Sequence, residues 1–151
     1  MALSIDEVLA LVPQQRPFRF LDRLLALDES RAEGEYTFRG DEPFYAGHFP
    51  GNPVTPGVIL LETMCQTGLV ALGIHLLALE QPLEEVKKTI TLFTNAEVEF
   101  EGLVRPGDTV RVRAEKIFWR RRKLKSSVQL TKADGSPVAR GTVSGIGVAA
   151  P

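Results

Sequence analysis

The chain contains 151 residues, of which 44% are hydrophobic and 25% are charged. These proportions are typical of a globular protein and exclude a fibrous or disordered chain. Its 18 basic and 19 acidic residues give a formal charge of -1, which argues against a surface built wholly to bind nucleic acid. We expect a single domain over residues 1–151 with no internal disulfide, because Cys65 is the only cysteine.

The two most apolar stretches lack the features of targeting and membrane segments. The N-terminus carries Asp6 and Glu7 within its apolar run and has no basic residue before it, so it makes a poor signal peptide. The stretch from Gly57 to Leu79 makes a poor membrane span because polar residues and glycines interrupt it. The interruptions are Glu62, Gln66, Gly68, Gly73 and His75. We therefore expect a soluble, cytoplasmic protein.

Local signals divide the first third of the chain into a helix, two strands and a loop. Ser4 and Glu7 have the spacing of a capping box, and Pro13 ends the apolar pattern after it, which predicts a short N-terminal helix. Residues 18–27 and 33–38 have the composition of strands. Residues 41–56 contain four prolines and two glycines, so we predict a stiff, shaped loop there.

A long helix is predicted from Gly57 to Glu80, because Pro56 suits a helix start and Pro82 ends the pattern. Apolar residues occupy nearly every face of this helix, so we expect it to be buried. Four further strands are predicted at residues 89–100, 109–119, 124–131 and 138–148. The predicted fold class is α+β, with a curved antiparallel sheet wrapped around the long central helix.

Three groups suited to one reaction converge around the start of this helix. His48 lies in the stiff loop, and an imidazole can take or give a proton near neutral pH. Glu62 lies in an apolar helix, where desolvation favours the protonated acid. The free N–H groups at the start of the helix suit a carbonyl oxygen on which negative charge develops.

The chain resembles the β-hydroxyacyl-[acyl-carrier-protein] dehydratases of fatty-acid synthesis, which have the hot-dog fold. The main motif is Gly47-His48-Phe49-Pro50-Gly51-Asn52-Pro53-Val54-Thr55-Pro56-Gly57-Val58, followed by Glu62 and Gln66. Further matches are Pro17-Phe18, Leu21-Asp22-Arg23, Glu42-Pro43-Phe44 and the segments 96–100 and 104–108. The resemblance covers roughly residues 5–145.

The resemblance implies a catalytic pair, His48 and Glu62, and a substrate-binding set, Gly57, Gln66, Phe49 and Val58. The implied reaction is dehydration of a (3R)-3-hydroxyacyl thioester to the trans-2-enoyl thioester. Gly57 would hold the thioester carbonyl, and Gln66 would orient the carboxyl of Glu62. Glutamate at position 62 favours the simple dehydratase over a related branch that has aspartate there and also isomerises its product.

The resemblance also implies the assembly and the partners of the protein. Family members are homodimers, often grouped as trimers of dimers, in which histidine and acid come from different subunits. The substrate is carried by acyl carrier protein or coenzyme A, and no metal, nucleotide or redox cofactor is needed. Thr55 and the run Thr63-Met64-Cys65 depart from the family pattern near the acyl channel, so the acyl chain length stays open.

Charged segments carry the remaining functional expectations. The run Arg120, Arg121, Arg122, Lys123 is either a solvated hairpin turn or a docking site for an acidic carrier protein or a phosphate. Glu97, Glu99 and Glu101 are expected on one outward face of a strand that is commonly basic in the family. We assign His75 and Cys65 to packing, and their spacing predicts no metal site.

Two alternative functions share the predicted fold. In a thioesterase, Glu62 would activate water or attack the thioester. In a non-catalytic acyl-binding subunit, neither His48 nor Glu62 would be needed for turnover. The primary or specialised nature of the lipid pathway is left open by the sequence.

Overall fold

The computed structural model describes residues 2–151, which begin with the predicted N-terminal helix, Ile5–Leu11. Its first turn is held by the predicted capping box. The Ser4 hydroxyl accepts a hydrogen bond from the N–H of Glu7 (3.1 Å), and the Glu7 carboxylate accepts one from the N–H of Ser4 (3.2 Å). Val8 and Val12 of this segment are fully buried against Leu21 and Leu24.

Six strands form one antiparallel sheet in the order β1-β2-β4-β5-β6-β3. The strands are β1 (Arg23–Leu27), β2 (Arg31–Thr37), β3 (Thr89–Phe100), β4 (Thr109–Arg120), β5 (Lys123–Lys132) and β6 (Pro137–Ala149). The final strand of the chain, β6, lies between β5 and β3, so β3 is an edge strand although it comes earlier in the sequence. The predicted α+β class and antiparallel sheet are confirmed.

The first strand begins later than the sequence predicts. We expected it from residue 18, but the structure starts it at Arg23. Between these positions the backbone bonds to a side chain of the central helix: the Phe20 N–H donates to Gln66 Oε1, and the Phe18 carbonyl accepts from Gln66 Nε2. A segment whose backbone groups pair with a side chain is no longer available for a strand ladder.

The central helix runs from Gly57 to Glu80, as predicted, but its middle is not α-helical. Two α-helical parts, Gly57–Cys65 and Leu72–Glu80, flank a π-helical segment, Gln66–Ala71. The sheet lies close to the helix at Gly68, where an added Cβ would lie 2.9 Å from a methyl of Val128. Ser126 on β5 donates its hydroxyl to the Gly68 carbonyl (2.7 Å), which fastens helix and sheet together at this point.

The inner face of the sheet covers the central helix. On the first half of β4 and along most of β5, every second residue is buried beneath the sheet. These residues are Val110, Val112, Ala114, Leu124, Ser126, Val128 and Leu130. By length and composition the helix is apolar enough to cross a membrane, but most of it is buried by the sheet, as in the core helix of a soluble protein.

Turns and short helices complete the chain. A 3-10 turn, Pro43–Ala46, lies within the predicted loop, and a short helix, Leu83–Lys87, follows Pro82 and was not predicted. The basic run forms the β4–β5 hairpin turn, in which Arg121 and Arg122 have φ angles of 52° and 63°. Two consecutive residues with positive φ form a type I′ turn, the connection that suits a two-residue hairpin.

Candidate active site

His48 is held by the loop that precedes the central helix. Its Nδ1 lies 2.9 Å from the Val54 carbonyl oxygen, and the Val54 N–H donates to the His48 carbonyl at the same distance. Since a carbonyl oxygen can only accept, Nδ1 carries the proton and donates it. With the proton on Nδ1, a neutral ring has its lone pair on Nε2, which is what a general base requires.

The loop around His48 is stiffened at both ends. Thr55 donates its N–H to the Val104 carbonyl (2.8 Å), and its buried hydroxyl lies 2.6 Å from the hydroxyl of Tyr45. The Phe49 and Asn52 backbones exchange hydrogen bonds across the turn. Phe49, predicted to bind substrate, stacks on the His48 ring with centroids 4.4 Å apart and keeps 54% of its surface exposed.

The start of the central helix offers free hydrogen-bond donors next to this loop. The N–H groups of Ile59 and Leu60 donate to the Pro56 carbonyl, but within residues 2–151 those of Gly57 and Val58 have no acceptor. Free donors at a helix N-terminus are suited to a developing oxyanion. Val58, which is also predicted to bind substrate, is 72% exposed. The Phe100 ring lies next to Gly57, 3.6 Å from the position that a Cβ would take there.

Glu62 is a half-buried carboxyl one turn further along the helix. Burial raises its pKa above the ordinary value, and a hydrogen bond from Gln66 Nε2 (2.9 Å) opposes that rise. Glu62 lines a narrow cavity of about 40 Å³. The other lining residues are Gln14, Cys65, Leu69, Val70, Thr91 and Phe93. A protonated carboxyl in such a place can donate a proton to a leaving hydroxyl.

Gln66 is fully buried, and each of its amide hydrogen-bonding groups is used. Its Oε1 accepts from the Phe20 N–H (2.7 Å), while its Nε2 donates to the Phe18 carbonyl (2.8 Å) and to Glu62 Oε2. These bonds fix the amide, and the amide in turn fixes one carboxylate oxygen of Glu62. Gln66 and Glu62 are thus hydrogen-bonded in the structure, and the orienting role of Gln66 stays a prediction.

Within one chain, these groups form two half-sites. The first half-site contains His48 and Gly57, which one continuous segment joins. The second half-site contains Glu62 and Gln66. No hydrogen bond among residues 2–151 joins the two, and His48 does not line the cavity at Glu62. Both half-sites border the edge strand β3, where Phe93 lines the Glu62 cavity and Phe100 lies at Gly57, each about half exposed.

Sequence reasoning missed Gln14, which lines the Glu62 cavity. Its Oε1 is buried and has no hydrogen-bond partner among residues 2–151. A polar side chain directly after Pro13, in the gap between the first helix and the first strand, was the signal available.

The remaining candidates lie apart from these half-sites or lack the needed reactivity. Cys65 lines the Glu62 cavity, but burial raises the pKa of its thiol to about 12, so it has no thiolate at neutral pH. His75 is buried further along the helix. Among residues 2–151, no cluster of three or more His, Cys, Asp or Glu side chains could hold a metal ion.

The basic hairpin lies at the other end of the central helix from Gly57. Within the described chain, no carboxylate lies within 4 Å of its cationic groups, although several other arginines have such partners. Three of its residues and two apolar residues line a surface groove. They are Arg120, Arg121, Lys123, Phe118 and Ile146. Glu99 on the edge strand β3 and Glu101 just after it are exposed and pair with Arg140 (3.9 Å and 3.1 Å).

Residues 12–142 match the FabA-like domain. The chain belongs to this family. Among curated relatives, the 3-hydroxyacyl-[acyl-carrier-protein] dehydratase FabZ of Chloroflexus aggregans is 41% identical over 134 residues, which cover 87% of this chain and 88% of the relative. The enzyme of the same name from Caldicellulosiruptor bescii is 36% identical over 144 residues, covering 91% and 94%. The resemblance to FabZ-like dehydratases is confirmed.

Solved structures place this FabA-like chain in the hot-dog fold. The dehydratase heterocomplex ApeI:P from Xenorhabdus doucetiae superposes with a TM-score of 0.73 at 14% identity, covering 97% of this chain and 91% of that one. Thioesterase HI1161 from Haemophilus influenzae superposes with a TM-score of 0.67 at 14% identity, covering 99% and 93%. At such identities the likeness shows the fold alone, and it confirms the predicted hot-dog architecture.

Proposed function

We propose that this protein dehydrates (3R)-3-hydroxyacyl thioesters, carried by acyl carrier protein, to trans-2-enoyl thioesters in the cytoplasm. The reaction would serve fatty-acid synthesis or a related lipid or polyene pathway. One observation carries the proposal: the Nδ1 proton of His48 is committed to Val54, which leaves Nε2 free as a base, and the Gly57 N–H at the end of the same segment has no acceptor among residues 2–151. The relatives named as 3-hydroxyacyl-[acyl-carrier-protein] dehydratases support it.

Each step of this elimination has a candidate group. His48 Nε2 takes the proton from C2, while the Gly57 N–H holds the thioester oxygen as charge develops on it. The C2–H electrons form the C2–C3 double bond, the C3–O bond breaks, and Glu62 gives its proton to the departing hydroxyl, which leaves as water. Solvent returns His48 and Glu62 to their starting protonation states. The reaction is redox-neutral, so this scheme requires no cofactor.

A complete site requires a second copy of the chain. We propose a homodimer in which the exposed edge of β3 pairs with its counterpart and brings His48 of one chain to Glu62 of the partner subunit. The supporting observation is that both half-sites border this edge, where the half-exposed rings of Phe93 and Phe100 lie. A trimer of such dimers is the larger assembly that family members often form.

We also propose that the hairpin residues Arg120, Arg121, Arg122 and Lys123 dock the acidic carrier protein. Their guanidinium and ammonium groups have no carboxylate within 4 Å in the described chain, and the neighbouring Phe118 adds apolar surface. The double variant Arg120→Glu, Arg121→Glu should raise KM for carrier-bound substrate several-fold, with little change for a pantetheine thioester. Lys88→Glu, outside the hairpin, serves as the matched control. Equal effects on both substrates would contradict the docking role.

The reaction itself is tested by incubating the purified protein with a 3-hydroxyacyl thioester. Dehydration produces a conjugated enoyl thioester, whereas a thioesterase releases free thiol, so absorbance and thiol titration separate the two. We expect His48→Ala and Glu62→Gln each to lower kcat by at least about a hundredfold, the range expected for general acid–base groups. Unchanged turnover in both variants would rule out the catalytic assignment and favour an acyl-binding subunit.

The shared site is tested by mixing the two inactive variants. In a mixed dimer, one site carries both substitutions and the other carries neither. Random reassembly of His48→Ala with Glu62→Gln should therefore restore about a quarter of wild-type activity. No recovery after verified subunit exchange would mean that each site is built within one chain.

A further inference from the structure

Two buried hydroxyl groups bond to each other across the loop that carries His48. Tyr45 lies in the 3-10 turn before the histidine and Thr55 in the segment after it, and only 5% and 3% of their surfaces are exposed. Their side-chain oxygens are 2.6 Å apart, the distance of a short hydrogen bond. Because His48 lies between these two residues in the sequence, their bond closes the loop around the histidine.

The Tyr45 ring is a fixed point in the hydrophobic core. It packs against Phe44 and Phe38, with ring centroids 4.6 Å and 6.4 Å away. Burial raises the pKa of the Tyr45 hydroxyl to about 12, so the phenol stays protonated at neutral pH. Within residues 2–151, the only hydrogen bond of each hydroxyl is the one to the other. A fixed ring thus holds the Thr55 side chain by a single directional bond.

The peptide group between Val54 and Thr55 is held at both of its polar atoms. Its carbonyl oxygen lies 2.9 Å from His48 Nδ1 and accepts the proton there, and its N–H donates to the Val104 carbonyl (2.8 Å). A peptide group is planar, so its carbonyl and its N–H turn together. A rotation at Thr55 would therefore also turn the carbonyl away from the imidazole, and the bond to Tyr45 opposes that rotation.

Thr55 also lies directly before the start of the central helix. Pro56 follows with a φ of -58°, which its ring fixes, and the helix begins at the next residue, Gly57. The Gly57 N–H has no acceptor among residues 2–151 and is the donor assigned to the thioester oxygen. A displacement of Thr55 would thus be passed both to this donor and to the imidazole of His48.

We propose that Tyr45 and Thr55 are positioning residues, whose hydrogen bond keeps the His48 imidazole and the Gly57 N–H in the arrangement that dehydration requires. The inference rests on the proposed function and adds two residues that act through that site. A displacement of reacting groups by about 1 Å can lower a rate about a hundredfold. An apolar pair of the same size would fill the same space, but it would not fix the rotation of Thr55, because apolar contacts are non-directional.

Variants that remove one hydroxyl test the pair. Tyr45→Phe and Thr55→Val nearly preserve the shape of each side chain and should each lower kcat about tenfold, while KM stays within about twofold. The double variant should be no slower than the slower single variant, because both substitutions remove the same bond. Thr55→Ser keeps the hydroxyl and should retain most of the wild-type kcat. Should Tyr45→Phe not fold, Thr55→Val tests the same bond.

A second hydroxyl pair provides the matched control. Thr37 and Thr109 join β2 to β4 through side-chain oxygens 2.8 Å apart, and neither residue belongs to the His48 loop. Thr37→Val removes a bond of the same kind, so it should lower the urea midpoint as Thr55→Val does but leave kcat unchanged. Unchanged kcat in Tyr45→Phe and Thr55→Val, or an equal fall of kcat in Thr37→Val, would overturn the proposal.

The tautomer of His48 gives a readout that needs no turnover. Nitrogen NMR of labelled protein distinguishes an imidazole protonated at Nδ1 from one protonated at Nε2, and the chain has only two histidines. At about pH 8.5, where an ordinary imidazole is neutral, wild type should hold the proton on Nδ1. Tyr45→Phe should show a measurable fraction of His48 protonated on Nε2 instead. A tautomer unchanged by Tyr45→Phe would overturn the proposed hold on His48.

These outcomes separate the inference from the proposed function. A tautomer shift in a protein that does not dehydrate 3-hydroxyacyl thioesters would support the positioning of His48 and reject the reaction. Dehydration by wild type, with kcat and tautomer unchanged in the variants, would support the reaction and reject the positioning pair.

Discussion

Gln14 places a polar group where it has no hydrogen-bond partner among residues 2–151. Gln14 lines the same cavity as Glu62, and we expect its buried amide oxygen to accept from a substrate hydroxyl or from the acid proton of Glu62. A buried, unpaired acceptor costs about 1–3 kcal/mol of stability. We predict that Gln14→Met raises the free energy of unfolding by about 1 kcal/mol and lowers kcat about tenfold, a trade-off typical of site residues.

Urea denaturation and steady-state kinetics measure the two effects on the same samples. Gln15→Met is the matched control, because Gln15 is exposed and its side chain bonds only to the Val12 carbonyl. Loss of stability together with unchanged kcat would show that Gln14 serves packing alone.

His75 is buried, its Nδ1 has no hydrogen-bond partner in the described part of the chain, and burial lowers its pKa despite the nearby Asp28 and Glu29. The unfolded chain therefore binds a proton at this residue at a pH where the folded chain does not. The contribution of neutral His75 to the free energy of unfolding should be complete above its unfolded-state pKa of about 6.5. It should be lost as the pH falls below that value. We predict that His75→Leu reduces the loss in urea midpoint between about pH 7 and pH 5. If the urea midpoint of the variant depended on pH as it does in wild type, this prediction would be contradicted.

At the scale of elements, the central helix shows what the sequence predicts and what it does not. Its ends follow from Pro56 and Pro82, and its burial follows from the apolar pattern. The π-helical middle of the helix is not predicted by the sequence pattern. It coincides with a contact between residues distant in sequence, Gly68 and Val128 of β5. The late start of β1 has the same kind of cause, a side chain from position 66 that binds its backbone.

The candidate site divides in a similar way. The residues that hold His48 are close in sequence, so the motif itself predicts a fixed histidine. The two half-sites border an edge strand that the chain order does not predict, since β6 must insert beside β5 for β3 to become an edge. Gln14 is brought to Glu62 only by the packing of the N-terminal segment, and no spacing rule links the two.

Two glycines of the central helix make a matched pair for a stability test. Gly68→Ala puts a methyl 2.9 Å from Val128 and 3.2 Å from Ala114, and such overpacking should cost about 1–3 kcal/mol. Gly73→Ala meets no contact under 3.8 Å and should stabilise the helix by about 0.5–1 kcal/mol. Thermal or urea unfolding measures both. Equal effects at the two positions would mean that the sheet does not restrict the helix at Gly68.

The β4–β5 hairpin combines an unfavourable conformation with the proposed docking charges. A residue other than glycine in the left-handed region costs about 1–2 kcal/mol, and Arg121 and Arg122 both adopt it. Replacement by Asn-Gly, the preferred pair for this turn, should raise the unfolding free energy by about 1–2 kcal/mol. The same variant should raise KM for carrier-bound substrate. A stabilised hairpin with unchanged KM would separate the turn from docking.

At the scale of the whole molecule, the proposed two-chain site would tie activity to assembly. If dimers dissociate on dilution, specific activity must fall with the fraction of dimer, by mass action. Leu92→Glu places a charge on the exposed side of β3. The protein concentration at which specific activity falls should then be at least about tenfold higher than for wild type. The control variant Leu79→Glu, which changes an exposed residue of the central helix, should leave that concentration unchanged. Activity that stays constant while dimers dissociate would exclude the shared site.

The position of the central helix in the chain also bears on how the protein is made. Synthesis completes Gly57–Glu80 before any residue of β4, β5 or β6 exists, and these strands provide most of its apolar cover. The sheet becomes continuous only when the last strand, Pro137–Ala149, enters between β5 and β3. An emerging chain thus carries a long, incompletely covered hydrophobic helix until nearly its whole length has left the ribosome. Its final strand must arrive before that helix meets another apolar surface, so chaperone capture during translation is expected to favour correct folding.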